Sequence, residues 1–293
     1  MTVMRSAKHL AVGLALCVSS VLAPDSARAE TQATYEEIEE TLGLVPSYLR
    51  AYPEAGVTGA WESLKGVLLN PDTALSAREK ELVALAVAAQ IPCDYCVYFH
   101  TQAAKANGVT EQEIAEALAM AASIRHWSTI LNGAQVELEE FKQETDAIMD
   151  YLAGGEQTGN PTETGGTYAE IEETLGLVPS FLRVYPEAGV AGAWESLKGV
   201  GLNPDTSLSA REKELIAVAV GAQIPCDYCV YFHTEAAKAH GVTEEEIAEA
   251  LAVAAAIRHW STILNGAQVE LEEFKQESDA IMEHMAAQAG GDR

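Results

Sequence analysis

Eight residues, Cys93-Asp-Tyr-Cys96-Val-Tyr-Phe-His100, recur unchanged as Cys226-Asp-Tyr-Cys229-Val-Tyr-Phe-His233. On a helix the two cysteines and the histidine fall at i, i+3 and i+7, which is one stripe on one face. A thiol in a first helical turn meets unpaired amide N–H groups that favour its thiolate, although Asp94 opposes this at Cys93. The Ile91-Pro92 pair marks a turn, with Glu81 ten residues before Ile91 and His100 nine after it. An antiparallel hairpin therefore brings Glu81 level with His100 and gives a line Glu81–His100–Cys96–Cys93. The second copy is Glu214, His233, Cys229 and Cys226. A carboxylate that orients an imidazole, an imidazole that moves a proton for a thiol, and a second thiol in reserve can run redox chemistry at sulfur. A bridge between cysteines three apart closes a tiny loop and restrains the unfolded chain little, so it suits a redox couple better than a staple. On the residues alone, a metal site with Glu81 as fourth ligand and a pair of inert buried cysteines also stay open. Haem attachment of the Cys-x-x-Cys-His kind does not, because Val97 and Val230 follow the second cysteine.

The elements that must position these groups read as helices throughout. Residues 35–43 form a short helix. Residues 53–70 form a longer one, with Val57, Trp61, Leu64 and Leu68 three and four apart. Ser76 and Glu79 make a capping box that opens a helix running to about residue 90, and Pro92 is expected as the first residue of the next. The motif helix ends at Asn107-Gly108, and a second capping box at Thr110 and Glu113 opens another helix. The segment 124–151 is expected to be helical, with a break at Asn132-Gly133 and a solvated acidic face over 137–144. Strand-like alternation is absent, so the expected fold is all-α with about six helices per unit.

Residues 34–150 repeat as 167–283 at an offset of 133, with 16 differences over 117 positions. The stretch 154–166 between them holds five glycines and no large apolar side chain, the composition of a flexible linker. The expected organisation is a signal peptide 1–29, domains 30–153 and 167–285, and a tail 286–293.

The spacing of Glu81, Cys93, Cys96 and His100, found again from Glu214, resembles that of alkylhydroperoxidase D-like proteins in the carboxymuconolactone decarboxylase superfamily. The likeness is strongest over 76–126 and 209–259. It implies an all-helical fold of two tandem alkylhydroperoxidase D-like domains, each with a redox-motif helix hairpin. It also implies that Cys96 and Cys229 attack peroxide, that Cys93 and Cys226 resolve the sulfenic acid, and that the Glu–His pairs relay protons. The decarboxylase branch lacks the paired cysteines. Alkylhydroperoxidase D itself carries a histidine between its cysteines, where Tyr95 and Tyr228 stand here, and it draws electrons from a lipoylated donor in the cytosol. His126 and His259, in Arg-His-Trp triplets, are candidates to stand in for that histidine or are satisfied histidines beside core tryptophans. Tyr95 and Tyr228 are auxiliary candidates beside the thiols, with packing the plainer role.

Arg5 and Lys8, the apolar run 10–23 and the small-x-small triplet Ala27-Arg28-Ala29 describe a Sec-type export signal cleaved after Ala29. The expected location is therefore periplasmic or secreted, where disulfides persist. Cleavage takes the formal charge from −26 to −28, which repels phosphate backbones and anionic bilayers, so nucleic acid and membrane are not expected partners. No cofactor or resident metal is expected. The expected partners are a peroxide substrate, a thiol or dithiol electron donor of unknown identity, and further copies of the chain in a homo-oligomer such as a trimer. The leading expectation is a thiol-dependent peroxidase. A general protein thiol–disulfide oxidoreductase is the alternative, and a non-catalytic assembly protein with stapling disulfides is the second.

Overall fold

The computed structural model describes residues 24–157 and 166–291. The first 23 residues of the expected signal and residues 158–165 of the expected linker lie outside them. Among the described residues there is no strand. The first unit holds α1 (Pro24–Leu42), α2 (Ser47–Arg50), α3 (Glu54–Leu64), α4 (Ala77–Gln90), α5 (Asp94–Ala106), α6 (Glu111–Gly133) and α7 (Leu138–Leu152). The second holds α8 (Gly166–Leu175), α9 (Ser180–Arg183), α10 (Glu187–Leu197), α11 (Ala210–Gln223), α12 (Asp227–Ala239), α13 (Glu244–Gly266) and α14 (Leu271–Gly291). A single π-helical turn prolongs α3 over Lys65–Leu69 and α10 over Lys198–Leu202.

Both expected capping boxes form: Ser76 with Glu79 opens α4, and Thr110 with Glu113 opens α6. Between its ends α4 is apolar all round and buried from Leu82 to Ala88, which is the pattern of a helix at the centre of a core rather than on its surface. Helices α4, α6, α11 and α13 pack on one another around that core. By length and composition α13 could also cross a membrane. Here its apolar side chains Ile247, Val253, Ile257 and Leu264 are buried in the protein instead.

Several boundaries depart from expectation. Helix α1 is longer than residues 35–43, and its first buried side chain is Thr34. Cys93, not Pro92, opens α5: its backbone is extended and its Sγ accepts from the Cys96 amide at 3.3 Å. Asn132-Gly133 closes α6, which is the break expected there. Helix α14 runs on to Gly291, into the stretch 286–293 expected as a tail, of which residues 292–293 lie outside the described residues.

The two units are interlocked. Helix α7 of the first unit lies on α12 of the second, and α14 lies on α5. The stripe Phe141, Thr145 and Ile148 on α7 is buried, and Phe141 and Ile148 join a cluster with Ile171, Leu175, Leu182 and Trp194 of the other unit. Reciprocally, Trp260 and Ile281 join Ile38, Leu49, Val57 and Trp61. Polar contacts fasten the exchange. Glu144, in the run expected to be solvated, is half-buried and accepts from the Ser180 amide at 2.9 Å, and Glu277 does the same for Ser47. Burial holds the Glu144 carboxyl above its ordinary range. Lys80, 2% exposed, donates to the Asn70 carbonyl and pairs with Glu249 of the other unit at 3.1 Å.

Candidate active sites

Each cysteine pair sits at the turn of the hairpin that the sequence predicts. In the structure Cys93 is bonded to Cys96, and Cys226 to Cys229, with Cα atoms 5.3 Å apart in both. The hairpin also makes the predicted cross-helix contact. His100 Nδ1 lies 2.7 Å from Glu81 Oε2, and His233 Nδ1 lies 2.6 Å from Glu214 Oε2. An ionised carboxylate only accepts, so Nδ1 carries the proton and Nε2 keeps the lone pair. Phe99 stands edge-on to His100 with centroids 5.2 Å apart, and Phe232 does the same to His233 at 5.1 Å. The imidazole is thus fixed on two sides.

Each site opens on a small apolar cavity, of roughly 80 Å³ beside Cys96 and roughly 90 Å³ beside Cys229. Glu81, Cys96 and His100 line the first; Glu214, Cys229 and His233 line the second. Cys93 and Cys226 do not: both are fully buried, behind the cysteines that face the cavity. The opposite wall of each cavity comes from the other copy. Trp260, Leu264 and Phe274 close the cavity at Cys96, and Trp127, Leu131 and Phe141 close the one at Cys229. Asparagine side chains cross in the same way, Asn265 Nδ2 to Cys93 Sγ and Asn132 Nδ2 to Cys226 Sγ, both at 3.8 Å. Neither unit holds a whole site.

The auxiliary candidates land elsewhere. His126 and His259 are exposed and stack on Tyr185 and Tyr52 of the opposite unit, with centroids 5.6 and 5.7 Å apart. They line neither cavity, and of the two expected roles the contacts match the histidine beside a core tryptophan: each ring stands edge-on to Trp127 or Trp260, with centroids 4.9 Å apart. Tyr95 and Tyr228 donate their hydroxyls across the unit boundary, to the Val269 and Val136 carbonyls at 2.5 Å. They are fasteners between units. Among the described residues, no group of three or more His, Cys, Asp or Glu side chains is arranged to hold a metal ion.

Sequence reasoning within one unit missed the cross-wall residues Trp127, Asn132, Phe141 and their equivalents. The usable signal was the unsatisfied apolar stripe of α7, which needs a cover that its own unit does not provide.

An all-α fold made twice, each copy lending the other half a site, defines the class. The chain belongs to the carboxymuconolactone decarboxylase family, which matches it over residues 55–136 and again over 188–269. It is 55% identical over 49 residues to an uncharacterized protein of Cupriavidus necator, which is 17% of this chain and 43% of that protein. It is 44% identical over 54 residues to "uncharacterized protein 4 in cox locus" of Paracoccus denitrificans, which is 18% of this chain and 49% of that protein. The chain thus spans just under half the length of these curated relatives. No solved structure matches it.

Proposed function

We propose that the protein is a thiol-dependent peroxidase that reduces organic hydroperoxides at two sites per chain. One observation carries this reading. In each pair one cysteine faces an apolar cavity beside a carboxylate-held histidine, while its partner is buried directly behind it. That is the arrangement an attacking and a resolving thiol require.

In the reduced protein, His100 Nε2 takes the Cys96 proton. The thiolate sulfur attacks the distal oxygen of ROOH, the O–O bond breaks, and RO⁻ leaves with a proton from the imidazolium as ROH. Cys96 is then a sulfenic acid, and the Cys93 thiol displaces its hydroxyl as water to form the Cys93–Cys96 disulfide. The balance is ROOH plus two thiols to ROH, water and one disulfide. An external thiol or dithiol supplies the two electrons that restore the pair. Cys229, Cys226, His233 and Glu214 repeat the cycle at the second site. Glu81 and Glu214 hold the ring and stabilise its charged form.

We place this chemistry outside the cytosol. The contacts of α1 are compatible with cleavage after Ala29, since Arg28 to Glu30 are exposed and buried packing begins at Thr34.

The reading is tested by mixing the reduced, desalted protein anaerobically with stoichiometric cumene hydroperoxide and following thiol loss by quenching and mass spectrometry. Loss of two thiols per unit is expected. Slow loss to peroxide beside rapid exchange with protein dithiols would replace it with a general thiol–disulfide oxidoreductase.

A further inference from the structure

The two cavities are built from equivalent positions, yet they are not the same. Where Leu68 lines the cavity at Cys96, Gly201 lines the one at Cys229, and Tyr48 is replaced by Phe181. Every other position that lines both carries the same residue. Leu68 lies in the π-helical turn that packs on α13, and Gly201 in the one that packs on α6. Without an isobutyl group at Gly201, the second cavity reaches Met120 and Ser123 of α6. Their equivalents on α13, Val253 and Ala256, do not line the first. At another edge Met285 helps close the first cavity, whereas its equivalent Leu152 is 56% exposed and takes no part in the second.

We propose that the two sites admit hydroperoxides of different size. Cys96 serves compact ones, and Cys229 serves bulkier organic ones whose hydrocarbon part lies over Gly201 against Met120. This rests on the peroxidase reading for its reactant, while the size difference stands on the cavity walls. An apolar wall adds affinity in proportion to the apolar surface it covers, and it rejects a group for which it leaves no room. Leu68 takes up part of the space that an aryl group would occupy at Cys96, so cumene hydroperoxide reacts there more slowly relative to tert-butyl hydroperoxide than it does at Cys229. A Cβ at Gly201 would meet only Leu197 Cδ1, at an ordinary 3.7 Å.

The test uses the full chain with one working site. Cys93→Ser/Cys96→Ser keeps the second site, and Cys226→Ser/Cys229→Ser keeps the first. Each is reduced and reacted with tert-butyl hydroperoxide and with cumene hydroperoxide, and thiol loss is timed by mass spectrometry. The cumene-to-tert-butyl rate ratio is expected to be at least fivefold higher at Cys229. Leu68→Gly should raise the ratio at Cys96, and Gly201→Leu should lower it at Cys229, with thermal unfolding confirming that each variant folds. Equal ratios in the two single-site proteins would overturn the proposal, even if a swap variant failed to fold. If neither peroxide reacts, the peroxidase reading falls, and N-phenylmaleimide against iodoacetamide reads the same size ratio on the same thiols. A fivefold preference for the larger reagent at Cys229 would then uphold the size difference, and equal ratios would overturn it.

Discussion

Asn265 and Cys93 are 172 residues apart in the sequence, and their side chains meet at 3.8 Å. The amide of one unit points at the buried sulfur of the other, and Asn132 reciprocates at Cys226. This pair explains why the chain carries two nearly identical units. Each site takes its cysteines, histidine and glutamate from one copy and its far wall from the other.

The crossed contact makes an unusual assignment testable. Asn265→Ala should slow disulfide formation at Cys93–Cys96, in the other unit, by roughly fivefold, and leave Cys226–Cys229 unchanged. Asn132→Ala should do the reverse. An N–H beside sulfur stabilises the thiolate by an amount on the order of one hydrogen bond, about 1 kcal/mol. Site-resolved mass spectrometry after partial oxidation reads both pairs in one sample.

Glu81→Gln removes the negative charge that stabilises the imidazolium of His100, and its amide can turn an N–H instead of an oxygen towards Nδ1. Oxidation at Cys96 should fall by about 10²-fold, the lower end of what positioned proton transfer contributes. Because Gln keeps the side-chain shape, the melting temperature should hold to within a few degrees. A large stability loss with an unchanged rate would reduce Glu81 to a packing residue.

Removing Trp260 should injure the unit that does not contain it. It is buried against Tyr48, with centroids 5.4 Å apart, and it walls the cavity at Cys96. Trp260→Ala should cost about 3–5 kcal/mol in denaturant unfolding. It should also open the Cys96 site to water while leaving selectivity at Cys229 as it was.

Interlocking also predicts what cleavage does. A protease site placed within 158–165 should yield two fragments that co-elute on gel filtration, because α7 and α14 each cover the other unit's motif helix. Fragments that separate as folded, active monomers would contradict the shared sites.

Acid should unfold the molecule through two carboxylates. Arg78 holds Glu113, and Arg211 holds Glu246, well below the ordinary 4.5, each at about 2. Hydrogen bonds from the guanidinium groups are the main cause. A depressed folded pKa stabilises above the unfolded value, so this contribution is complete above about pH 4.5 and is lost as pH falls towards 2. Arg78→Ala/Arg211→Ala should cost about 1–3 kcal/mol per pair at pH 7 and flatten the pH dependence of stability across that window. Urea titrations at pH 3 and pH 7 measure it.

Much of the site was legible because it is local. Glu81 and His100 lie symmetrically about the Ile91-Pro92 turn, so helix geometry alone brings them together, and the capping boxes at Ser76 and Thr110 mark two helix starts. The export signal's first 23 residues lie outside the described part of the chain. Helix spacing carries no information about which copy an apolar stripe will meet. Hence the segment 124–151 could be read as helical while the partner of α7, α12, could not, and Glu144 looked solvated although it anchors Ser180. The same blindness affected His126. Its neighbour Tyr185 comes from the second unit, and nothing near residue 126 encodes that contact.

In the proposed reaction Cys96 and Cys229 are the thiols that take oxygen from peroxide. The most direct measurement uses Cys93→Ser/Cys226→Ser, which removes both resolving thiols, treated with one equivalent of cumene hydroperoxide per site in the presence of dimedone. A dimedone adduct is expected on Cys96 and on Cys229, and none when both are replaced by serine. No adduct on either cysteine, with both thiols still free by alkylation, would contradict it.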